Sequence, residues 1–303
     1  MKPALIIGST CVDIIINVEH LPRTEENIRP TSQSMHLGGC AFNVDYIMRL
    51  LGSSHTFISP VGGGTYGDYV AKRLKAMGVP VAVRVPDQEN GCCYCLVEAD
   101  GERTFMSYHG AEYTFQKSWM IPYHSDNYSL TYVCGLEIEE PTGINLIEYL
   151  EKHTDLEVCF APGPRGRFIS PRKMQRMMEL HPILHISEQE ARDLSGLSDY
   201  QEAALALQNL THNTVIITLG QRGTYCLEKS GNHYTVPSIP AKKVADTIGA
   251  GDAHIGTIIA CLIKDLPLKK AISYANRVAA AVVGIQGASL PPELLPPMEN
   301  EID

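Results

Sequence analysis

Asp246-Thr247-Ile248-Gly249-Ala250-Gly251-Asp252 stands near the C-terminus and runs straight into an amphipathic helical pattern. A Gly-Ala-Gly turn feeding a helix leaves the first backbone N–H groups without intrahelical acceptors. With the positive end of the helix dipole, those donors make a site for an anion such as a phosphate. Asp252 falls in the first turn, where it can face whatever is held there. An anion cradle with a carboxylate pointing into it is the equipment of phosphoryl transfer to a hydroxyl. The plainer alternative is a turn that merely redirects the chain and an Asp that merely caps the helix.

Working outward, short apolar runs alternate with helical patterns. Leu5–Ile7, Thr56–Ile58, Tyr132–Cys134, Glu157–Phe160, Ile183–Ile186 and Val215–Thr218 read as buried strands. Ala41–Leu51, Asp68–Met77, Gly143–Lys152, Pro171–Leu180, Glu188–Leu194 and Tyr200–Leu210 read as helices between them. Such alternation predicts a largely parallel sheet covered on both faces. A hairpin follows at Tyr225–Leu227 and His233–Val236, then two long helices, from Asp252 to Lys264 and from Pro267 to about Ile285. Asp13–Val18 with Gln33–His36, and Gly91–Val97 with Arg103–His109, break the pattern and read as antiparallel strands of a small separate sheet. The Pro-rich acidic tail from Pro291 is expected to be loose.

The chain has 303 residues, 44% of them hydrophobic, enough for one large α/β core. Its formal charge of −9 and lack of a basic run argue against nucleic-acid binding. No apolar stretch reaches membrane-spanning length and no signal-peptide pattern opens the chain, so the expected location is the cytoplasm. Nine scattered cysteines fit reduced thiols, and Cys92, Cys93 and Cys95 lack a second pair at zinc spacing.

Gly62, Gly64 and Gly67 spell G-x-G-x-x-G between a strand and a helix, with Asp87 20 residues beyond. That is the layout of a dinucleotide-binding fingerprint, so a dinucleotide-binding oxidoreductase is a rival reading. It leaves the 246–252 string and the separate sheet unexplained.

The string DTIGAGD resembles the D-T-x-G-A-G-D signature of the ribokinase-like (PfkB) sugar kinase family, and the likeness covers nearly the whole chain. The resemblance implies a ribokinase-like three-layer α/β/α fold with a mostly parallel central sheet and a small β-sheet lid. It would form a single domain over 1–303, with lid strands from about 11–37 and 90–110 and the loose tail at 291–303. It implies ATP-dependent phosphorylation of a hydroxyl on a small sugar. Asp252 is then the general base, and the backbone of Gly249, Ala250, Gly251 and Asp252 the anion hole.

Further motifs carry further roles by the same resemblance. Gly8-Ser9-Thr10-Cys11-Val12-Asp13 places Asp13 on sugar hydroxyls, and Gly38-Gly39-Cys40-Ala41-Phe42-Asn43 adds Gly38, Gly39 and Asn43 to the sugar site. Glu137, with Glu139 nearly its equal, and Arg165 of Pro162-Gly163-Pro164-Arg165 complete the substrate set. Ser187-Glu188-Gln189-Glu190 places Ser187 and Glu190 at the nucleotide, with Glu190 holding Mg²⁺ through water. Thr218, Gly220 and Gly223 line the phosphates, and Asn276 flanks the adenine. Asp246, Ile248, Gly287 and Ser289 fall around a monovalent cation site suited to K⁺.

The chain departs from the family pattern at Gly64, Ala161 and Ser187. Those departures are the only support for a non-catalytic sugar sensor. A nucleoside kinase of the same fold is the closer alternative, with Met35, Cys40 and Phe42 as candidate base-pocket residues. His254, two positions past Asp252, should face elsewhere on its helix and serve structure. An exposed lid edge would allow a homodimer through the lid.

Overall fold

The computed structural model describes residues 2–241 and 244–298. Its strands are β1 (Ala4–Ile7), β2 (Cys11–Asn17), β3 (Ser32–Gly38), β4 (His55–Ile58), β5 (Pro60–Gly63), β6 (Val83–Glu89), β7 (Cys92–Val97), β8 (Arg103–Tyr108), β9 (Leu130–Cys134), β10 (Glu157–Ala161), β11 (Ile183–Ser187), β12 (Val215–Thr218), β13 (Thr224–Leu227) and β14 (His233–Val236). Its helices are α1 (Cys40–Leu50), α2 (Gly64–Ala76), α3 (Gly135–Glu139), α4 (Gly143–Lys152), α5 (Pro171–Glu179), α6 (Glu188–Ser195), α7 (Tyr200–Thr211), α8 (Ala250–Leu262) and α9 (Leu268–Val283). The chain divides into two units: Met1–Ile7, Asn43–Phe57 and Phe115–Asp303 form one, and Gly8–Phe42 and Ile58–Thr114 the other.

The first unit is organised by an eight-stranded sheet in the order β4-β1-β9-β10-β11-β12-β13-β14. Neighbours from β1 through β12 run parallel, and β13 and β14 close the far edge antiparallel. Strands such as ALII at β1 and LTYVC at β9 are buried at every position, as parallel strands covered on both faces must be. Right-handed crossovers place α4, α5, α6 and α7 on one face, because β9 to β12 advance in one direction. The step from β1 to β4 goes the other way and puts α1 on the opposite face. There Ile47 of α1 shares a core with Ala253 and Cys261 of α8 and Val278 and Val282 of α9. The order reverses between β1 and β9, and the carboxyl ends of strands beside such a reversal are where open α/β sheets bind ligands.

The C-terminal tail differs from expectation up to Met298. Tyr274 donates its hydroxyl to the carbonyl of Pro296 at 2.9 Å, and Arg277 reaches the carbonyl of Pro297 at 2.6 Å. The prolines that suggested looseness instead leave carbonyls available to these donors. Residues 299–303 lie outside the described residues.

The second unit holds a four-stranded sheet in the order β3-β2-β7-β8. Its two hairpins are antiparallel within themselves and joined by the parallel pair β2–β7. The turn at Glu98–Glu102 closes through Glu98 N–H to the carbonyl of Glu102 at 2.9 Å. Helix α2 covers one face, its Tyr66 hydroxyl 3.1 Å from that of Tyr94 and its Tyr69 hydroxyl 2.8 Å from the carbonyl of Met35.

A parallel pair, β5–β6, forms where the sequence offers a strand up to Val61 and a second strand-like run before Asp87, but its pairing and the extension of β6 to Glu89 were not legible. Val83–Glu89 is charged, mostly exposed and interrupted by Pro86, so it lacks a strand's apolar pattern. This pair also removes the dinucleotide reading. A Cβ at Gly62 would lie 2.5 Å from the backbone N of Asn90, and one at Gly67 1.9 Å from the carbonyl of Gly62. The N–H of Gly62 is taken by Asn90 Oδ1 at 3.0 Å, and the Glu89 carboxylate stands beside Gly64. These glycines serve close backbone packing, and a carboxylate there repels a pyrophosphate.

Candidate active site

The 246–252 stretch lies in the first unit and is fixed before its helix begins. Asp246 is buried, and its two oxygens accept from the N–H groups of Ile248 and Gly287, both at 2.8 Å. That clamp ties the glycine turn to the segment after α9. Gly249 caps α8 in the left-handed region at φ 73°, and a Cβ there would lie 2.3 Å from Cβ of Ala288. Only glycine satisfies both conditions. Ala250 and Gly251 open the helix, and a Cβ on Gly251 would meet nothing within 4 Å. Gly251 therefore faces open space. Ser289 is exposed beside Gly287 and Ala288.

Asp252 sits half-buried in that first turn, and its Oδ2 accepts a 2.8 Å hydrogen bond from Nδ2 of Asn43 on α1. This donor is a neutral amide. Asn43 itself is 7% exposed.

Ser187, Glu190, Thr218, Gly220 and Gly223 gather at the carboxyl ends of β11 and β12. Ser187 caps α6 in a reciprocal box: its Oγ accepts from the N–H of Glu190 at 3.2 Å, and Oε2 of Glu190 accepts from the N–H of Ser187 at 2.9 Å. Ser is a favoured cap, so the departure at 187 preserves the helix start. Burial pushes the Glu190 carboxyl above its ordinary value, against the opposing pull of those hydrogen bonds. Thr218 ends β12, Gly220 faces open space at φ 59°, and Gly223 closes against the carbonyl of Val236. Arg222 of this turn bonds Glu188, which also takes Arg192 at 2.7 Å.

Asn276, the residue that the resemblance sets beside the adenine, is held by a network of protein partners. It is buried, its Nδ2 donating to the carbonyls of Val236 (3.2 Å) and Pro237 (3.1 Å) and its Oδ1 accepting from the Thr224 hydroxyl at 2.7 Å. His254 Nε2 lies 3.1 Å from both that Oδ1 and the Thr224 oxygen, and His254 Nδ1 lies 2.9 Å from His185 Nε2. An amide oxygen only accepts, so His254 carries its proton on Nε2 and offers Nδ1 to the Nε2–H of His185. Both imidazoles are neutral. Burial lowers both, His254 to about 4. His254 faces away from the open side of the turn, as its helical offset from Asp252 requires. Sequence reasoning passed over His185 and Thr224, whose only signal was a polar residue inside an apolar strand.

The remaining sugar candidates are spread. Glu137 is 2% exposed in α3, at the carboxyl end of β9. Glu139 pairs with Arg165, whose Nε lies 2.6 Å from its Oε2 and whose guanidinium lies over Phe168. Lys173 fixes the end of α3, donating to the carbonyls of Ile138 at 2.9 Å and Glu139 at 3.1 Å. Asp13, Gly38 and Gly39 belong to the second unit. A Cβ on Gly38 would fall 2.0 Å from Oδ2 of Asp13, so the carboxylate lies directly over that glycine, with Cys11 Sγ 3.5 Å from Oδ1.

This architecture is a ribokinase fold. It matches the crystal structure of ribokinase from Thermotoga maritima with a TM-score of 0.84 at 20% identity, covering 97% of this chain and 98% of that one. It matches Arabidopsis thaliana ribokinase complexed with ribose and ATP with a TM-score of 0.81 at 20% identity, covering 98% and 96%. In sequence, the uncharacterized sugar kinase YegV of Escherichia coli is 31% identical over 96% of this chain and 91% of its own length. The sequence model of the pfkB family carbohydrate kinases matches residues 1–294. The chain belongs to that family and is an ATP-dependent kinase. Nucleoside kinases are also among its relatives. Among the described residues no helix is long and apolar enough to cross a membrane.

Proposed function

We propose that the enzyme phosphorylates a hydroxyl of a small sugar, with Asp252 as general base and the first turn of α8 as the anion hole. The observation that carries this reading is the half-buried carboxylate in the first turn of a helix entered through a glycine turn, with open space beside Gly251. That turn fits the phosphates of a nucleotide, since the first turn of a helix and the positive end of its dipole favour an anion. Bound ATP supplies the phosphoryl group. Asp252 accepts the hydroxyl proton, and the N–H groups at 249–252 stabilise charge on the group in transfer.

Ser187, Thr218, Gly220 and Gly223 are proposed nucleotide contacts. Glu190 fits an outer-shell Mg²⁺ carboxylate, a role in which water carries the contact. Asn276 is proposed to act beneath the nucleotide by holding His254 and the end of β14 rather than by touching a base. Asp13, Gly38, Gly39 and Glu137 are proposed sugar contacts, with Arg165 shaping the site through Glu139. A K⁺ at Asp246, Ile248, Gly287 and Ser289 would act on the clamp that already fixes the turn.

The test is ADP release from MgATP against a panel of pentoses, hexoses, keto-deoxy sugar acids and nucleosides, with and without K⁺. Turnover with a sugar supports the reading. Turnover with nucleosides alone replaces the sugar by its glycoside, and ADP release that no acceptor stimulates contradicts it.

A further inference from the structure

The Asp252 carboxylate accepts a hydrogen bond from 209 positions earlier in the chain, from the amide of Asn43. Two packing features hold the pair together. Gly256 lies one helical turn beyond Asp252, and a Cβ there would sit 3.3 Å from the Val44 backbone and 3.5 Å from Cβ of Ile47. Ile47 in turn lies one turn beyond Asn43. The contact of Gly256 with 44 and 47 thus sets the spacing of α1 and α8 and brings 43 against 252. On the other side, a Cβ on Gly249 would lie 3.6 Å from Asn43 Nδ2, so the turn leaves room for the amide.

We propose that Asn43 is the positioning residue of the general base. It holds the Asp252 carboxylate in one rotamer and supplies a hydrogen bond to its ionised form. This role, which rests on the kinase reading above, differs from the sugar contact that the G-G-x-x-x-N resemblance implies. An amide 93% shielded from water and bonded to a neighbouring carboxylate acts through that carboxylate. A base oriented by a donor starts each turnover in the geometry that proton acceptance needs.

The experiment compares the parent enzyme with Asn43→Leu, which keeps the volume and removes the donor, on the sugar that the parent phosphorylates. The readouts are kcat, the KM values for sugar and ATP, ADP affinity by calorimetry, and Tm. Loss of an oriented hydrogen bond to a charged group predicts a kcat lower by about 10- to 100-fold, with both KM values and ADP affinity within about twofold. A loss expressed in the sugar KM with kcat unchanged would overturn the proposal in favour of a sugar contact, and unchanged kinetics would overturn it outright. If Asn43→Leu does not fold, Asn43→Asp, equal in size and lacking the donor, takes its place, and retained kcat there also overturns it. Asp252→Asn in the same assay separates the two levels: turnover in that variant removes the parent reading, whereas its loss beside a normal Asn43→Leu removes only this one.

Discussion

Gly249→Ala perturbs the site at a single atom, and the structure sets its size. The position has φ 73°, where a residue bearing a Cβ costs about 1–2 kcal/mol. The added Cβ would also lie 2.3 Å from that of Ala288, so the segment at 287–289 must retreat. Retreat stretches the 2.8 Å bond from the N–H of Gly287 to Asp246. A hydrogen bond to a charged group is worth about 1.5–3 kcal/mol. The two costs together predict a loss of roughly 3–5 kcal/mol, or about 5–10 °C in Tm for a chain of this size. Calorimetric unfolding reads the loss, and ADP titration reports the distortion of the turn. The double variant Gly249→Ala/Ala288→Gly, set against Ala288→Gly alone, relieves the steric part and leaves only the backbone cost. Unchanged Tm and ADP affinity in the single variant, or no recovery in the double one, would refute the steric argument.

The buried pair His185 and His254 makes stability depend on pH. Both are lowered by burial, so the unfolded chain binds protons that the folded one refuses. Their contribution is whole above the unfolded value of about 6.5 and is lost as pH falls from there toward about 4. The slope is about 1.4 kcal/mol per pH unit for each imidazole, reaching roughly 3 kcal/mol for His254. Denaturant titrations between pH 6.5 and 5, above most carboxylates, should show it, and a flat profile there contradicts the neutral pair. The edge strand β8 carries Phe105, Met106 and Tyr108 at 53%, 61% and 58% exposure, which suits pairing with a second copy. Light scattering should give a dimer that Met106→Glu weakens, and a monomer at every concentration of the parent chain opposes that pairing.

The sequence disclosed what depends on local pattern. Short β-branched runs such as VIIT at 215–218 read as strands covered on both faces, and their alternation with helices pointed to the parallel sheet. The turn at 246–252 and the helix after it were legible because glycine spacing marks a helix start. What stayed hidden depends on distant parts of the chain meeting. Ala288 as the wall behind Gly249, and Asn43 as the donor to Asp252, follow from tertiary packing that no local window contains. The extension of β6 through Glu89 was masked by Pro86 and by charges on an exposed strand. Asn276 was read outward toward a nucleotide from resemblance. The partners of its amide, Val236, Pro237 and Thr224, lie 39 to 52 positions away and were not legible.

The central claim is that the carboxylate at 252 takes the acceptor's proton. Asp252→Asn keeps the shape of the side chain and removes the base, so turnover of the identified acceptor with MgATP reads the claim directly. The account predicts a fall of about 10²- to 10⁴-fold in kcat with ADP affinity retained. A kcat within a few-fold of the parent enzyme would contradict it.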